Sequence, residues 1–237
     1  MITLLRHSGQ GVLDLIFPPR CCVCQRPGAL LCHACCQDFP HVPPPICQIC
    51  GQPTEAPGLC RVCRSKPLAI DGIRSAFLFE GSVRQAIHEL KYRHRQSLAV
   101  TLAGLMADHW RSEPLPADLV VAVPLHPARL RERGYNQAEL LARALGGMIG
   151  LPVLSSGLRR VRHTRPQMSL DAADRRGNVQ DAFSYRAPTR GDGNTVRGRR
   201  VLVIDDVCTT GSTLEACSLA LKGAGAASVW GFALARA

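Results

Sequence analysis

The sequence predicts an α/β protein, a mostly parallel sheet with helices on both faces, preceded by a small cysteine-rich N-terminal domain. Three observations carry this. Apolar runs of strand length, at residues 73–79, 119–123, 201–205 and 228–234, alternate with longer helical segments. The run at 201–204 is apolar without interruption, as expected for a strand buried on both faces of a parallel sheet. Of the 12 cysteines, all but Cys208 and Cys217 precede residue 64. A chain of 237 residues has room for one medium domain beside a small one.

Taken in order, residues 1–68 form the cysteine domain. A short apolar segment at 11–17 lacks a basic flank and a small-residue cleavage site, so it reads as an amphipathic helical turn rather than a signal peptide. Eight cysteines make four C-x-x-C pairs: Cys21/Cys24, Cys32/Cys35, Cys47/Cys50 and Cys60/Cys63. Each pair supplies one side of a tetrahedral zinc site, and two pairs close it with no open position. Consecutive pairing gives two structural four-cysteine zinc ribbons; interleaved pairing, as in cross-brace domains, fits the same spacing. Disulfides would need an oxidising compartment, and no export signal is visible. Phe39 is the one aromatic between Arg20 and Lys66, so apolar burial is scarce. Zinc, worth on the order of 10–16 kcal/mol in zinc-finger peptides, is expected to hold this domain together. Cys22 and Cys36 are spares beside the ligands, and the proline-rich residues 40–45 separate the halves.

Residues 64–70 read as a linker into the second domain, 69–237. Helices are expected at 82–92 and 98–110. The strand at 119–123 runs into Pro124, Leu125, His126 and Pro127, then a basic stretch bearing Arg129, Arg131 and Arg133. A helix at 138–149 follows, with Leu141, Leu145 and Met148 or Ile149 at core spacing. Residues 158–183 are dense in arginine with few core anchors, and residues 185–200 read as a Gly/Arg-rich surface insertion. A helix at 214–222 and the strand at 228–234 complete the chain. Ligands in such sheets bind beyond the carboxyl ends of the strands, which puts the loops after Val123 and after Asp205 on one edge.

The most specific stretch is 201–213. Asp205 and Asp206 stand at the end of the apolar strand, followed by Thr209, Thr210, Gly211, Ser212 and Thr213 at the start of a helix. A helix N-terminus offers unpaired N–H groups and a positive dipole end to a phosphate; Gly211 permits close approach and the hydroxyls add donors. Carboxylates would repel a bare phosphate, but they suit a sugar cis-diol or a divalent cation beside it. Ribose 5-phosphate supplies both halves. A Walker A loop is excluded, because no lysine precedes Ser212.

These residues resemble the phosphoribosyl-pyrophosphate (PRPP) signature of type I phosphoribosyltransferases. With the cysteine pairs, Lys91 and Tyr92, the segments around Val123 and Arg133 to Gln137, and Thr164, Gln167, Arg175 and Asn178, the chain resembles the ComF/GntX group of phosphoribosyltransferase-like competence proteins over nearly its whole length. The resemblance implies that Asp205 and Asp206 face the ribose hydroxyls as catalytic acids, and that Thr209 to Thr213 hold the 5-phosphate. Pro124, Leu125, His126, Arg129 and Arg133 would serve the rest of PRPP, with Mg²⁺ accompanying it. The arginines of 158–183 would close over the pyrophosphate as a mobile segment. It also implies a cytoplasmic protein of DNA uptake, natural transformation or use of imported DNA. Single-stranded DNA and other competence or DNA-handling proteins stand as candidate partners. Two functions fit: a PRPP-dependent transferase, or a non-catalytic module that senses PRPP or docks DNA and protein. An amidophosphoribosyltransferase is disfavoured, since residue 2 is Ile rather than a cysteine nucleophile.

Bulk properties agree. Net charge is +11, from 29 basic and 18 acidic residues, which suits polyanionic partners. Aromatics are only 5%, so a base-stacking platform is poorly supplied. No stretch approaches a transmembrane span.

Overall fold

A computed structural model describes residues 18–93, 95–161, 182–187 and 195–237. In chain order the elements are α1 (His33–Gln37), α2 (Arg61–Ser65), β1 (Gly72–Leu78), α3 (Gly81–Tyr92), α4 (Leu98–Ser112), β2 (Leu119–Ala122), α5 (Pro127–Arg133), α6 (Gln137–Ile149), β3 (Val153–Leu154), β4 (Leu158–Arg160), β5 (Phe183–Tyr185), β6 (Arg200–Cys208), α7 (Ser212–Gly223) and β7 (Ser228–Arg236). The main sheet runs β1-β7-β6-β2-β3, and every pairing in it is parallel. β4 and β5 form a separate antiparallel pair.

Side-chain alternation along β6 explains why the sheet is covered twice. Leu202 and Ile204 point into one apolar layer with α3, α4 and α6; Val201 and Val203 point into the other with α7, β4 and β5. Leu202, Ile204 and Phe232 are all but fully buried, each worth roughly 1.5–3 kcal/mol of apolar burial. Helix ends follow local chemistry. Asn136 caps α6 by accepting from the Ala138 N–H at 3.1 Å, and Gly150 ends that helix at φ +72°.

The expected fold is present, with revisions. β6 does not stop at Ile204 or Asp205: it carries both acids and ends at Cys208, because β7 continues to pair with it through Arg236. The basic stretch after β2 is helix α5 rather than loop. Pro127 occupies its first turn, the His126 Nδ1 accepts from the Ala128 N–H at 3.2 Å, and Gly134 closes it at φ +80°. The segment 158–183 is anchored at both ends, with Leu158, Ala182 and Phe183 buried. Within 185–200, Tyr185 closes β5 and Val196 is fully buried, so that stretch is not wholly a surface insertion. The linker is pinned as well: Ile70 is buried, and the Ala69 N–H and carbonyl bond Glu215 and Lys222 of α7. Residues 11–17, and Thr164, Gln167, Arg175 and Asn178, lie outside the described residues. Among the described residues no helix is long and apolar enough to cross a membrane.

Candidate functional site

The cysteines resolve into consecutive pairs. Cys21, Cys24, Cys32 and Cys35 converge in one group and Cys47, Cys50, Cys60 and Cys63 in another, ligand atoms within 4.8 Å of one another. The sulfurs of Cys24 and Cys32 are 3.6 Å apart and those of Cys50 and Cys60 3.8 Å. A tetrahedron with Zn–S bonds of about 2.3 Å has an edge of about 3.8 Å, so both groups fit zinc. They are built alike: Cys32 N–H lies 3.4 Å from Cys21 Sγ, and Cys60 N–H 3.3 Å from Cys47 Sγ. Burial opposes the thiolates of Cys21 and Cys47, but backbone N–H donors outweigh it and bring each down to about 6. The two groups are structural zinc sites. Cys22 and Cys36 belong to neither, and burial pushes Cys22 up to about 11.

At the carboxyl edge of the sheet, β6 delivers the acids and α7 begins four residues past Cys208. Gly211 turns the chain at φ +83°. The hydroxyls of Thr210 and Ser212 lie 2.8 Å apart, and the Ser212 N–H points at Thr210 Oγ1 across 3.4 Å. This is a hydroxyl-lined N-terminus of a 12-residue helix, with Thr209, Thr210 and Thr213 half-buried beside it. β2 is the neighbour of β6, so Pro124, Leu125, His126 and α5 lie on the same edge.

The two acids differ sharply. Neighbouring strand residues point to opposite faces. Asp206 turns toward α3 and α6, where its side chain is 4% exposed. Lys91 at the end of α3 forms an ion pair with its Oδ2, and the Gln137 side-chain amide donates to Oδ1 at 3.1 Å. Burial would raise the Asp206 pKa, but the Lys91 ammonium prevails and holds it below the usual carboxylate range. Lys91 is raised in turn: burial disfavours the ammonium, and Asp206 outweighs that. Asp205 is half-buried and accepts from the Asp206 N–H at 2.9 Å. Burial first, then the Asp206 charge, push its carboxyl well above the usual range. On that side of the strand the Arg160 guanidinium lies over the Phe183 ring at 5.5 Å. Of the pair, Asp205 is the more open to a ligand.

Around Asp206 a polar relay extends outward. Arg133 donates to the Gln137 side-chain oxygen and lies 5.2 Å over the Tyr92 ring. The Tyr135 hydroxyl donates to the Leu90 carbonyl, tying the end of α3 to the α5–α6 turn. Lys91, Tyr92, Arg129, Glu132 and Arg133 line a cleft of about 190 Å³. Arg129, exposed, pairs with Glu132 at 3.1 Å. The structure thus links Arg133 to Asp206 through Gln137, and sets Asp205 and the 209–213 loop at the same edge of the sheet. Arg159 faces outward, exposed, and Arg162 lies outside the described residues. Sequence reasoning missed the roles of Lys91 and Gln137. The available signal was the rarity of lysine: Lys66, Lys91 and Lys222 are the only three against 26 arginines. Cys208 is buried, and burial pushes its thiol up to about 11.

Two zinc ribbons joined to a parallel sheet with this loop define a phosphoribosyltransferase-like protein. Residues 12–64 match the family described as a double zinc ribbon domain, and residues 133–235 the phosphoribosyl transferase domain. The DNA utilization protein YhgH of Salmonella typhi is 34% identical over 229 residues, covering 91% of this chain and 97% of that one. Competence protein F of Haemophilus influenzae is 37% identical over 156 residues, covering 64% and 66%. Competence protein ComFC of Bacillus subtilis is 25% identical over 219 residues, covering 89% and 86%. The chain belongs to the ComF family. A solved glutamine PRPP amidotransferase from B. subtilis overlaps 62% of this chain and 30% of its own at a TM-score of 0.41 and 21% identity, too loosely to bear on activity.

Proposed function

We propose that this protein binds PRPP with Mg²⁺ at the carboxyl edge of β6 and acts in DNA uptake or in the use of imported DNA. The observation that carries the reading is the meeting, on one sheet edge, of an acid pair, a hydroxyl-lined helix N-terminus and the arginine-bearing helix after β2. The names of the relatives, a DNA utilization protein and competence proteins, support the cellular role. We assign the 5-phosphate to Thr209, Thr210, Gly211, Ser212 and Thr213. The ribose hydroxyls fall to Asp205, with Asp206 holding the edge in place through Lys91 and Gln137. The pyrophosphate falls to the side of Pro124, Leu125, His126, Arg129 and Arg133.

The donor set fits the cation. Mg²⁺ takes one or two carboxylates and completes its shell with water and substrate phosphates, and Asp205 is the open carboxylate here. When bound, Mg²⁺ would neutralise pyrophosphate charge. The chain's own part is positioning: Arg133, held by Gln137 and stacked on Tyr92, presents a fixed cation to a departing anion. Single-stranded DNA is the proposed partner; the net charge of +11 and the exposed Arg159 support contact with phosphates. The cytoplasm is the proposed site of action, and residues 1–68 and 69–237 the proposed domains.

Calorimetric titration with PRPP, with and without Mg²⁺, tests the site. We expect saturable binding in Mg²⁺ that ribose 5-phosphate competes away; absence of both refutes the reading. Pyrophosphate release on adding candidate bases or single-stranded DNA then assigns catalysis, whereas binding without release assigns recognition.

A further inference from the structure

The second zinc site packs on the part of the sheet that backs the 209–213 loop. Three consecutive carbonyls of the knuckle that starts at Cys47 accept hydrogen bonds from the sheet. Gln48 accepts from the Arg74 guanidinium at 3.2 Å, Ile49 from the Ile73 N–H at 2.7 Å and Cys50 from the Arg236 guanidinium at 2.6 Å. Gly51, at φ +70°, permits this approach, because a Cβ there would run into the Ile73 carbonyl.

From these contacts two routes lead to the loop. The Arg236 nitrogen that serves Cys50 also lies 3.4 Å from Cys208 Sγ, and Cys208 immediately precedes Thr209. Arg236 is 5% exposed, so its guanidinium depends on such acceptors for solvation. On the other side, a Cβ on Gly211 would sit 2.7 Å from Ile73 Cδ1 and 3.2 Å from Leu68 Cδ1. Leu68 in turn packs against Cys47, Cys50 and Cys63. The contacts of the first ribbon go elsewhere. Its Pro40 carbonyl accepts from the Leu78 N–H at 2.7 Å, and its Cys22 carbonyl from Gln85 at 2.5 Å, at the end of β1 and on α3.

Building on the proposed PRPP site, we infer that Arg236 is a positioning residue for the 5-phosphate loop and that zinc at Cys47, Cys50, Cys60 and Cys63 sets phosphate affinity through it. The metal gives the four sulfurs a common centre and so fixes the direction of the carbonyls at 48–50. Without it those carbonyls are free to turn, Arg236 and Ile73 lose their acceptors, and Cys208 and Gly211 lose their backing. A loop that recognises phosphate through N–H groups depends on their direction. Linkage makes the coupling reciprocal: phosphate bound at the loop tightens zinc at the second site.

The test uses the full chain with both zincs. Zinc affinity is measured by chelator competition with and without saturating ribose 5-phosphate. We expect the site of Cys47, Cys50, Cys60 and Cys63, told apart by repeating the competition on Cys24→Ser, to tighten roughly 5- to 150-fold, the usual span of site–site coupling, and the first site to stay put; tightening of the first site alone overturns the inference. In Arg236→Met the difference disappears while pyrophosphate binding, read by calorimetry, is retained; a merely structural role would move both. The wild-type competition decides the matter even where that variant fails to fold. Unchanged zinc affinity at both sites, or an equal change at both, in protein that binds ribose 5-phosphate overturns the inference. Protein that binds no ribose 5-phosphate overturns the PRPP reading and this inference with it.

Discussion

Replacing Lys91 with methionine isolates the ion pair at the centre of the site. The change keeps the side-chain length and removes the charge from a carboxylate that is 4% exposed. Removing one partner of a buried pair costs roughly 3–5 kcal/mol. Two features reduce that here. Lys91 keeps 21% of its side chain exposed, and Gln137 still donates to Asp206 Oδ1. The expectation is about 2–3 kcal/mol. Urea unfolding at pH 7 measures it, with zinc held in excess so that the metal contribution is constant. Asp206→Asn in the same background should recover about half, because the stranded charge is gone. The pH dependence has a definite sign. The Asp206 carboxyl is held down, so its contribution is present above the ordinary value of about 3.9 and is lost as pH falls through the depressed one. The Lys91 ammonium is raised, so its contribution is full below about 10.4 and is lost as pH rises through the raised value. The gap between wild type and Lys91→Met should therefore be flat from about pH 5 to 10 and close at either end. A gap under about 0.5 kcal/mol, or one unaltered by Asp206→Asn, would refute the pairing.

Other expectations bear on ligand and metal. Asp205→Asn should weaken PRPP by roughly 1.5–3 kcal/mol for each charged hydrogen bond removed, and unchanged affinity in a titration sinks the assignment. Because burial and the Asp206 charge hold the Asp205 carboxyl up, wild-type affinity should rise with pH as Asp205 ionises; a flat profile counts against its role. Protein purified under reducing conditions should carry two zincs per chain, one for each four-cysteine group, and a metal assay showing none defeats both sites. Replacing Arg159, Arg160 and Arg162 should flatten the salt dependence of DNA binding by up to about 0.7 for each phosphate no longer neutralised; an unaltered slope places the DNA elsewhere.

The zinc pairing was within reach of the sequence. Each half repeats the same order, a C-x-x-C pair, a loop and a second C-x-x-C pair opening a short helix, and a repeat of that kind closes on itself more simply than across itself. The parallel sheet was legible for the reason that its strands are continuous apolar runs. β3, with two residues, and β4 and β5, with three each, are too short to show a period, and the sequence does not reveal them.

The acid pair shows where reading by composition fails and what repairs it. Carboxylates are poor strand residues, so the apolar run ending at Ile204 suggests that the strand ends there too. Two adjacent acids in a loop can then face one ligand together. The partner strand decides otherwise: β7 continues to Arg236, and its pairing carries β6 through Asp205 and Asp206 to Cys208. Once both acids lie in a strand, alternation alone sends them to opposite faces. One must then meet the layer of α3 and α6, and a buried carboxylate there needs a cation and a donor, which Lys91 and Gln137 supply. The contacts that link the second knuckle to the 209–213 loop by way of Arg236 and Ile73 stayed hidden for a different reason. They run through the carbonyls of Gln48, Ile49 and Cys50 and through positions where a Cβ would not fit. Backbone acceptors and missing methyl groups leave no periodic trace in a sequence, although here they join residues 50 and 236 of one chain.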